Sequence, residues 1–285
     1  MLPKFKERVK CIYIDPPYNT GNDEFIYNDR FRHSSWLTMM ENRMQLAREW
    51  MREDGATFVS IDDNEVRHLL MLCEEIFGDE QIAALFIAQT NPRGRSLDKY
   101  VAKTHEYVAA VVKQATVPTA LRQIPKTEKH LAEYKYEDEL GSYRLLELRN
   151  RNPMFNRQNR PNLFYPLYVN PTTKQVSTIR NAEFFIEVLP RNSKGEDDCW
   201  TWSREKASRD SHLLIARQTK NGGWRIFRKD YLPKDTSLAT TKAKSIWLDK
   251  SINHENGKEL LSSFFGRAPY DFPKSVALVR KCLEI

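Results

Sequence analysis

The 285-residue chain lacks any apolar run of the length, about eighteen residues, that a bilayer-spanning helix needs, and its start, MLPKFKERVK, lacks the apolar core of a secretory signal. Neither a membrane span nor a signal peptide is therefore expected. Cysteine is sparse and scattered: Cys11, Cys73, Cys199 and Cys282 include no CxxC pair. That spacing excludes a cysteine-built zinc site and predicts a reduced, cytoplasmic protein with no bound metal. Glycine is sparse too. The ten glycines lie at 21, 55, 78, 94, 141, 195, 222, 223, 257 and 266, and no two are separated by a single residue. No Walker A loop is present, so any ATP-driven step would belong to another subunit. Internal repeats and low-complexity tracts are absent as well.

What is present is an apolar content of 40%, enough for a core, and a charge that is unevenly spread. Residues 1–113 hold 15 Lys and Arg against 18 Asp and Glu, whereas residues 114–245 hold 24 against 15. The last segment, 246–285, is nearly balanced at 6 against 5. A basic middle segment suits a polyanionic partner, and equally a solvated, loop-rich surface.

Residues 1–113 alternate between strand and helix patterns. Val9–Asp15 is an apolar strand. From Ser35, the residues Trp36, Met39, Met40, Met44, Ala47, Trp50 and Met51 recur at helical spacing, with Ser34 or Ser35 as cap and Gly55 closing the end. Thr57–Ile61 is the next strand, and Asp62 with Glu65 has the spacing of a capping box for a helix ending at Gly78. Ile82–Ala88 and Tyr107–Val112 complete the set. The alternation predicts an α/β fold with a largely parallel sheet, whose site lies at the carboxyl ends of the strands. Asp15 and the Asp62–Asp63 pair fall there. The polar connection after Ala88 carries Arg93 and Arg95, as a loop near a ligand or a plain solvated one. Beyond residue 113 the pattern becomes mixed and β-containing, with a hairpin turning at Asn221–Gly222–Gly223, and Trp200 and Trp202 read as core. A helix from about Ser275 bears Val276, Val279 and Leu283 on one face. The expected divisions are 1–113, 114–245 and a return segment, 246–285.

The stretch CIYIDPPYNTG carries the chemistry. Asp15 and the Pro16 carbonyl are two acceptors held close together, and neither Pro16 nor Pro17 has an amide hydrogen to enter a ladder. Two such acceptors match an amino group with two hydrogens, and Tyr18 offers a flat face for a ring. Together they predict a site for the exocyclic amine of a nucleobase. Accepting both hydrogens localises the nitrogen lone pair and stabilises the positive charge that grows as it attacks an electrophile. A base in a duplex must be flipped out to reach such a corner.

DPPY in this setting resembles motif IV of the S-adenosylmethionine-dependent amino-methyltransferases of DNA. The longer run DPPYNTG, followed by WLTMMENRM, EDGATFVSIDDNE, HEYVAAVVK, RPNLFYPLYV, KSIWLD and YDFPKSVAL, resembles the adenine-specific Mod subunits of type III restriction–modification systems across nearly the whole chain. The resemblance implies a Rossmann-like methyltransferase sheet with an inserted target-recognition region. Asp15, Pro16, Pro17 and Tyr18 match its catalytic motif, and aspartate at 15 matches the adenine-modifying branch. For S-adenosylmethionine it implies Asp15, Asn19 and Thr20, together with Phe272, Pro273 and Lys274, which match the FxxPKP element with Ser275 in place of its second proline. For DNA it implies the basic region, with Arg149, Arg151, Arg157 and Arg160 beside Arg93 and Arg95. Double-stranded DNA, a homodimer and a helicase–nuclease restriction subunit are the partners it brings with it, and no membrane.

One family element is missing. The FxGxG turn, where the backbone approaches the cofactor closely, follows the FxxPKP helix in this branch, and this sequence has no Gly-x-Gly. The expectation is a partial sheet, the catalytic half of a longer methyltransferase, with an exposed edge at Val9–Asp15 and weak cofactor binding. Two other readings stay open: a non-catalytic DNA-binding remnant or split-gene subunit, and an amino-methyltransferase of RNA or protein amides. The basic region argues against the last.

Overall fold

The computed structural model describes residues 2–21, 31–94, 99–235, 239–270 and 273–285. Arg95 and Phe272 lie outside the described residues. The chain forms two compact units, one of residues 1–124 with 241–285 and one of residues 125–240.

In the first unit the elements used below are β1 (Val9–Ile14), α1 (His33–Trp50), β2 (Met51–Ile61), α2 (Val66–Phe77), β3 (Ile82–Ala88) and β4 (Glu106–Val112). They build a five-stranded sheet in the order β1-β2-β4-β3 and then the short strand Ile246–Trp247. β1 runs parallel to β2, and β3 parallel to Ile246–Trp247, while β4 is antiparallel to both of its neighbours. The sheet is thus parallel but for one reversed strand. Reversal brings the start of β4 to the edge where the other strands end: Tyr107 pairs with Ile61, and Glu106 with Ala88.

Both faces of this sheet are covered, which explains why β4 reads as a continuous apolar run from Tyr107 rather than an alternating one. Trp36, Met40 and Met44 of α1 and Leu69, Cys73 and Ile76 of α2 pack on one face. On the other, Phe58, Phe86 and Val108 meet Trp247, Leu278 and Cys282. Among the described residues, β1 pairs with β2 alone.

Local details depart from the sequence reading. α1 starts at His33, capped by neither Ser34 nor Ser35, and its last residue leads straight into β2 at Met51. Gly55 lies inside β2, not at a helix end. It sits where Val9 pairs with Met51 but Cys11 already pairs with Ala56, and a Cβ there would come within 3.0 Å of the Val9 carbonyl oxygen. The helix Val276–Glu284 starts close to Ser275, as expected, with Ser275 as its cap, but it buries Leu278 and Cys282, leaving Val276 and Leu283 exposed. Those buried positions lie four residues apart, on the stripe next to the predicted one.

The second unit is built from short antiparallel strands. One sheet orders Leu214–Gln218, Trp224–Tyr231, Gly141–Glu147 and Tyr136–Asp138; the other orders Ile186–Val188, Leu167–Val169 and Val176–Ser177. The predicted hairpin turns at residues 219–223, where Thr219 N donates to Gly223 O at 2.7 Å. Trp200 and Trp202 are core, and the Trp200 indole N–H donates to Tyr165 O at 2.8 Å.

Candidate active site

At the end of β1 the prolines stop the ladder, and the turn needs another anchor. Trp36 supplies it: fully buried, it donates its indole N–H to Pro17 O at 2.8 Å. Among the described residues no hydrogen bond reaches the Pro16 carbonyl. Asn19 adopts a left-handed conformation, φ 59°, which its short amide side chain tolerates. That side chain accepts from Phe31 N at 2.6 Å and donates to Glu65 Oε1 at 2.5 Å.

Lys274 stands at the centre of the corner. Its ammonium lies 2.6 Å from Glu106 Oε2 and 3.6 Å from Asp15 Oδ1, donates to the Tyr18 hydroxyl, and sits 4.4 Å from the centre of the Tyr18 ring. The Tyr18 hydroxyl in turn donates to Glu106 Oε2 at 2.9 Å. Burial raises the Asp15 carboxyl above its ordinary range, with Lys274 opposing the shift and Glu106 reinforcing it. Its side chain remains 37% exposed, open to an incoming ligand. Burial alone would raise Glu106 as well, but the Lys274 charge and the neighbouring His254 outweigh it and hold this carboxyl at about 2. Glu106 is thus a buried anion whose work is to fix a cation. Its second oxygen, Oε1, has no hydrogen-bond partner among the described residues, and His254 Nε2 lies 3.4 Å from Oε2 without bonding it.

Glu65, read from sequence as half of a capping box, turns inward instead. Fully buried, it takes His33 Nδ1 on one oxygen and His68 Nδ1 on the other, each at 2.7 Å. Asp62 rather than Glu65 makes the local turn, accepting from Asn64 N at 2.9 Å. A cleft of about 480 Å³ opens alongside, lined by Asn19, Thr20, Gly21, Phe31, Arg32, His33 and Asn64.

The structure therefore gathers Asp15, Pro16, Pro17, Tyr18 and Lys274 into one corner, with Asn19 and Thr20 on the adjoining cleft. Glu106, Glu65 and Trp36 escaped the sequence reading of the site. Glu106 had a signal, a carboxylate opening an apolar strand as Asp15 closes one. The basic candidates are dispersed. Arg93 is 86% exposed, with Glu255 at 3.6 Å. In the second unit Arg149 is only 16% exposed, bonded to both Glu147 and Asp198, which makes it a strut rather than a contact for a ligand. Arg151 and Arg157 are exposed, paired with Glu147 and Asp197; Arg157 and Arg160 lie over the rings of Phe164 and Phe155.

A family model, N6_N4_Mtase, described as DNA methylase, matches residues 9–285. The chain belongs to this DNA methylase family. It is 30% identical to the type III restriction-modification enzyme EcoPI Mod subunit of Escherichia phage P1, over all of this chain and 49% of that protein. It is also 30% identical to the type II methyltransferase M.KpnI of Klebsiella pneumoniae, over 95% of this chain and 64% of the relative. A shorter match, 35% identical over 40% of this chain, joins it to the EcoP15I Mod subunit of Escherichia coli. The chain thus spans about half to two thirds of the length of the first two relatives. Among the described residues no helix is long and apolar enough to cross a membrane.

Proposed function

We propose that this chain supplies the amine-binding corner and the target-recognition region of an S-adenosylmethionine-dependent DNA methyltransferase. Its substrate is the N6 amine of an adenine flipped out of duplex DNA, and its setting the modification component of a type III restriction–modification system. The carrying observation is the Asp15–Lys274–Glu106–Tyr18 constellation at the carboxyl end of β1. In this reading the Asp15 carboxylate and the Pro16 carbonyl accept the two amine hydrogens. The nitrogen is drawn towards a tetrahedral geometry, its lone pair is freed from the ring, and positive charge on it is stabilised in place. Lys274 keeps Asp15 ionised and oriented, and Glu106 holds Lys274. Tyr18 keeps its phenol neutral, because burial and the adjoining carboxylates raise it. Asn19 and Thr20 border the place from which the base enters.

For the methyl donor the residues present form a margin and not a cradle. No glycine turn of the Gly-x-Gly type exists, and Lys274 is committed to Glu106, Tyr18 and Asp15. The corner built around Asp15 accordingly serves the nucleophile's side of the reaction. Duplex DNA is the partner that the basic recognition region favours. The similarity to the EcoPI Mod subunit of a type III restriction-modification enzyme supports a restriction subunit as a further partner, while a second Mod-like chain rests on the family resemblance alone.

The test is transfer of a tritiated methyl group to duplex DNA, with the chain alone and with a polypeptide carrying the family's FxGxG half. Labelled N6-methyladenine should form with the complement, and Asp15→Ala should lower it by about a hundredfold or more. Label on cytosine N4, or label insensitive to Asp15, would refute this reading. Calorimetric titration of the chain alone with S-adenosylmethionine should show no micromolar binding.

A further inference from the structure

Glu65 closes the entry to α2, His68 lies one turn on, and His33 opens α1. The Glu-x-x-His spacing places Glu65 and His68 over the same helical turn, and the packing of α1 against α2 brings His33 to face them. The three side chains offer ligand atoms that all lie within 4.8 Å of one another. Exposure is graded across them: Glu65 is wholly buried, His68 is 17% exposed and His33 is 58% exposed. His33 also lines the cleft of about 480 Å³, so a hydrated ion has a route in and room to keep a water ligand.

Charge supplies the second strand of the argument. Among the described residues, Glu65 has no lysine or arginine within ion-pairing distance; its partners are the two imidazoles and the Asn19 amide. A fully buried carboxylate that lacks a permanent cation is costly. A divalent ion would supply the missing charge, and two imidazole nitrogens with a carboxylate form a donor set suited to zinc-class metals.

We propose that His33, Glu65 and His68 bind a divalent cation of the zinc class, a site distinct from the Asp15 corner. The ion pins the first turns of α1 and α2 together and, through the Asn19–Glu65 bond, fastens the turn that follows Tyr18. The Nδ1-to-carboxylate separations of 2.7 Å are those of hydrogen bonds. A zinc ion with ligand bonds of about 2.0–2.1 Å in a tetrahedral site holds its ligand atoms about 3.3 Å apart, a movement of roughly half an ångström or more that exposed His33 can make. Arg67 Nε donates to His68 Nε2 at 3.3 Å; as an exposed side chain it can turn away when Nδ1 becomes the ligand and Nε2 carries the proton.

The test uses the whole chain, freed of metal with a chelator and titrated with zinc chloride in a calorimeter. In parallel, cobalt(II) is followed by absorption. One equivalent should bind with a dissociation constant of roughly ten micromolar or tighter, and the cobalt spectrum should show no thiolate band, since the cysteines stand apart from the cluster. His33→Ala, at an exposed position, and His68→Ala should each weaken binding by about tenfold or more. Absence of one-equivalent binding by the parent chain, a thiolate band, or binding unchanged in both variants would overturn the proposal. None of these readouts depends on methyl transfer.

Discussion

Asp15 and Lys274 are 3.6 Å apart, a separation at which each sets the other's charge state. Lys274 is the principal influence lowering the Asp15 carboxyl against its burial. Replacing it by methionine should therefore move the Asp15 titration, followed by carboxyl-carbon NMR, to higher pH than in the parent; an unmoved titration would separate the two residues. Glu106 gives a stability prediction of definite sign. Its folded-state value, about 2, lies below the ordinary 4.5, so the contribution is fully present above 4.5 and is lost as pH falls towards 2. Urea unfolding should show a stability gap between the parent and Glu106→Gln at neutral pH that narrows through this acid window. Asp15, Pro16, Pro17 and Tyr18 could be read from sequence because their chemistry is contiguous. Lys274 was found only through a family motif, which placed it beside the cofactor rather than on Glu106. Glu65 could not be assigned, because it lies at a helix start, where capping is the simpler expectation, and the partners of Glu106, for all its place at the head of an apolar strand, are chosen by tertiary packing.

The elements around the corner are placed by close backbone approaches as much as by side chains. Gly257, in the helix His254–Phe265, faces the chain that carries Lys274: a Cβ there would lie 2.7 Å from Pro273 O and 3.0 Å from Lys274 O. Backbone cannot yield as a flexible side chain does, so Gly257→Ala should cost about 1–3 kcal/mol in denaturant unfolding. It should also displace Lys274, shifting the Asp15 titration in the same direction as Lys274→Met. An unshifted titration would show that the segment tolerates the methyl group. Elements with strong periodicity or long apolar runs were legible: β3 runs from Ile82 to Ala88 as read, and β4 gains only Glu106 at its start. The reversed direction of β4 was not legible, because a strand buried on both faces carries the same apolar signature whichever way it runs. The junction of α1 with β2 was missed for a related reason: a helix whose next residue enters a strand needs no glycine stop.

Across the whole molecule, charge and chemistry are divided between the units. Residues 125–240 hold 21 Lys and Arg against 15 Asp and Glu, while Asp15, Glu106 and Lys274 belong to the other unit. If the basic unit grips duplex DNA, affinity should fall steeply with salt. The triple change Arg151→Ala, Arg157→Ala and Arg160→Ala should reduce the log–log slope by up to about three, measured by fluorescence anisotropy. Arg149→Ala should instead lower the unit's stability, because it strips Glu147 and Asp198 of a shared cation; an unchanged slope in the triple variant would remove these three from the DNA face. The corner is also assembled across great distances along the chain. Lys274 meets Glu106 across 168 residues and Tyr18 across 256, and the whole second unit is threaded between them. At ribosomal speeds of roughly 5–20 residues per second, Glu106 waits on the order of ten seconds for its lysine. Throughout that interval Asp15 lacks the charge that orients it, so a nascent chain completes this corner only after the whole basic unit has been synthesised.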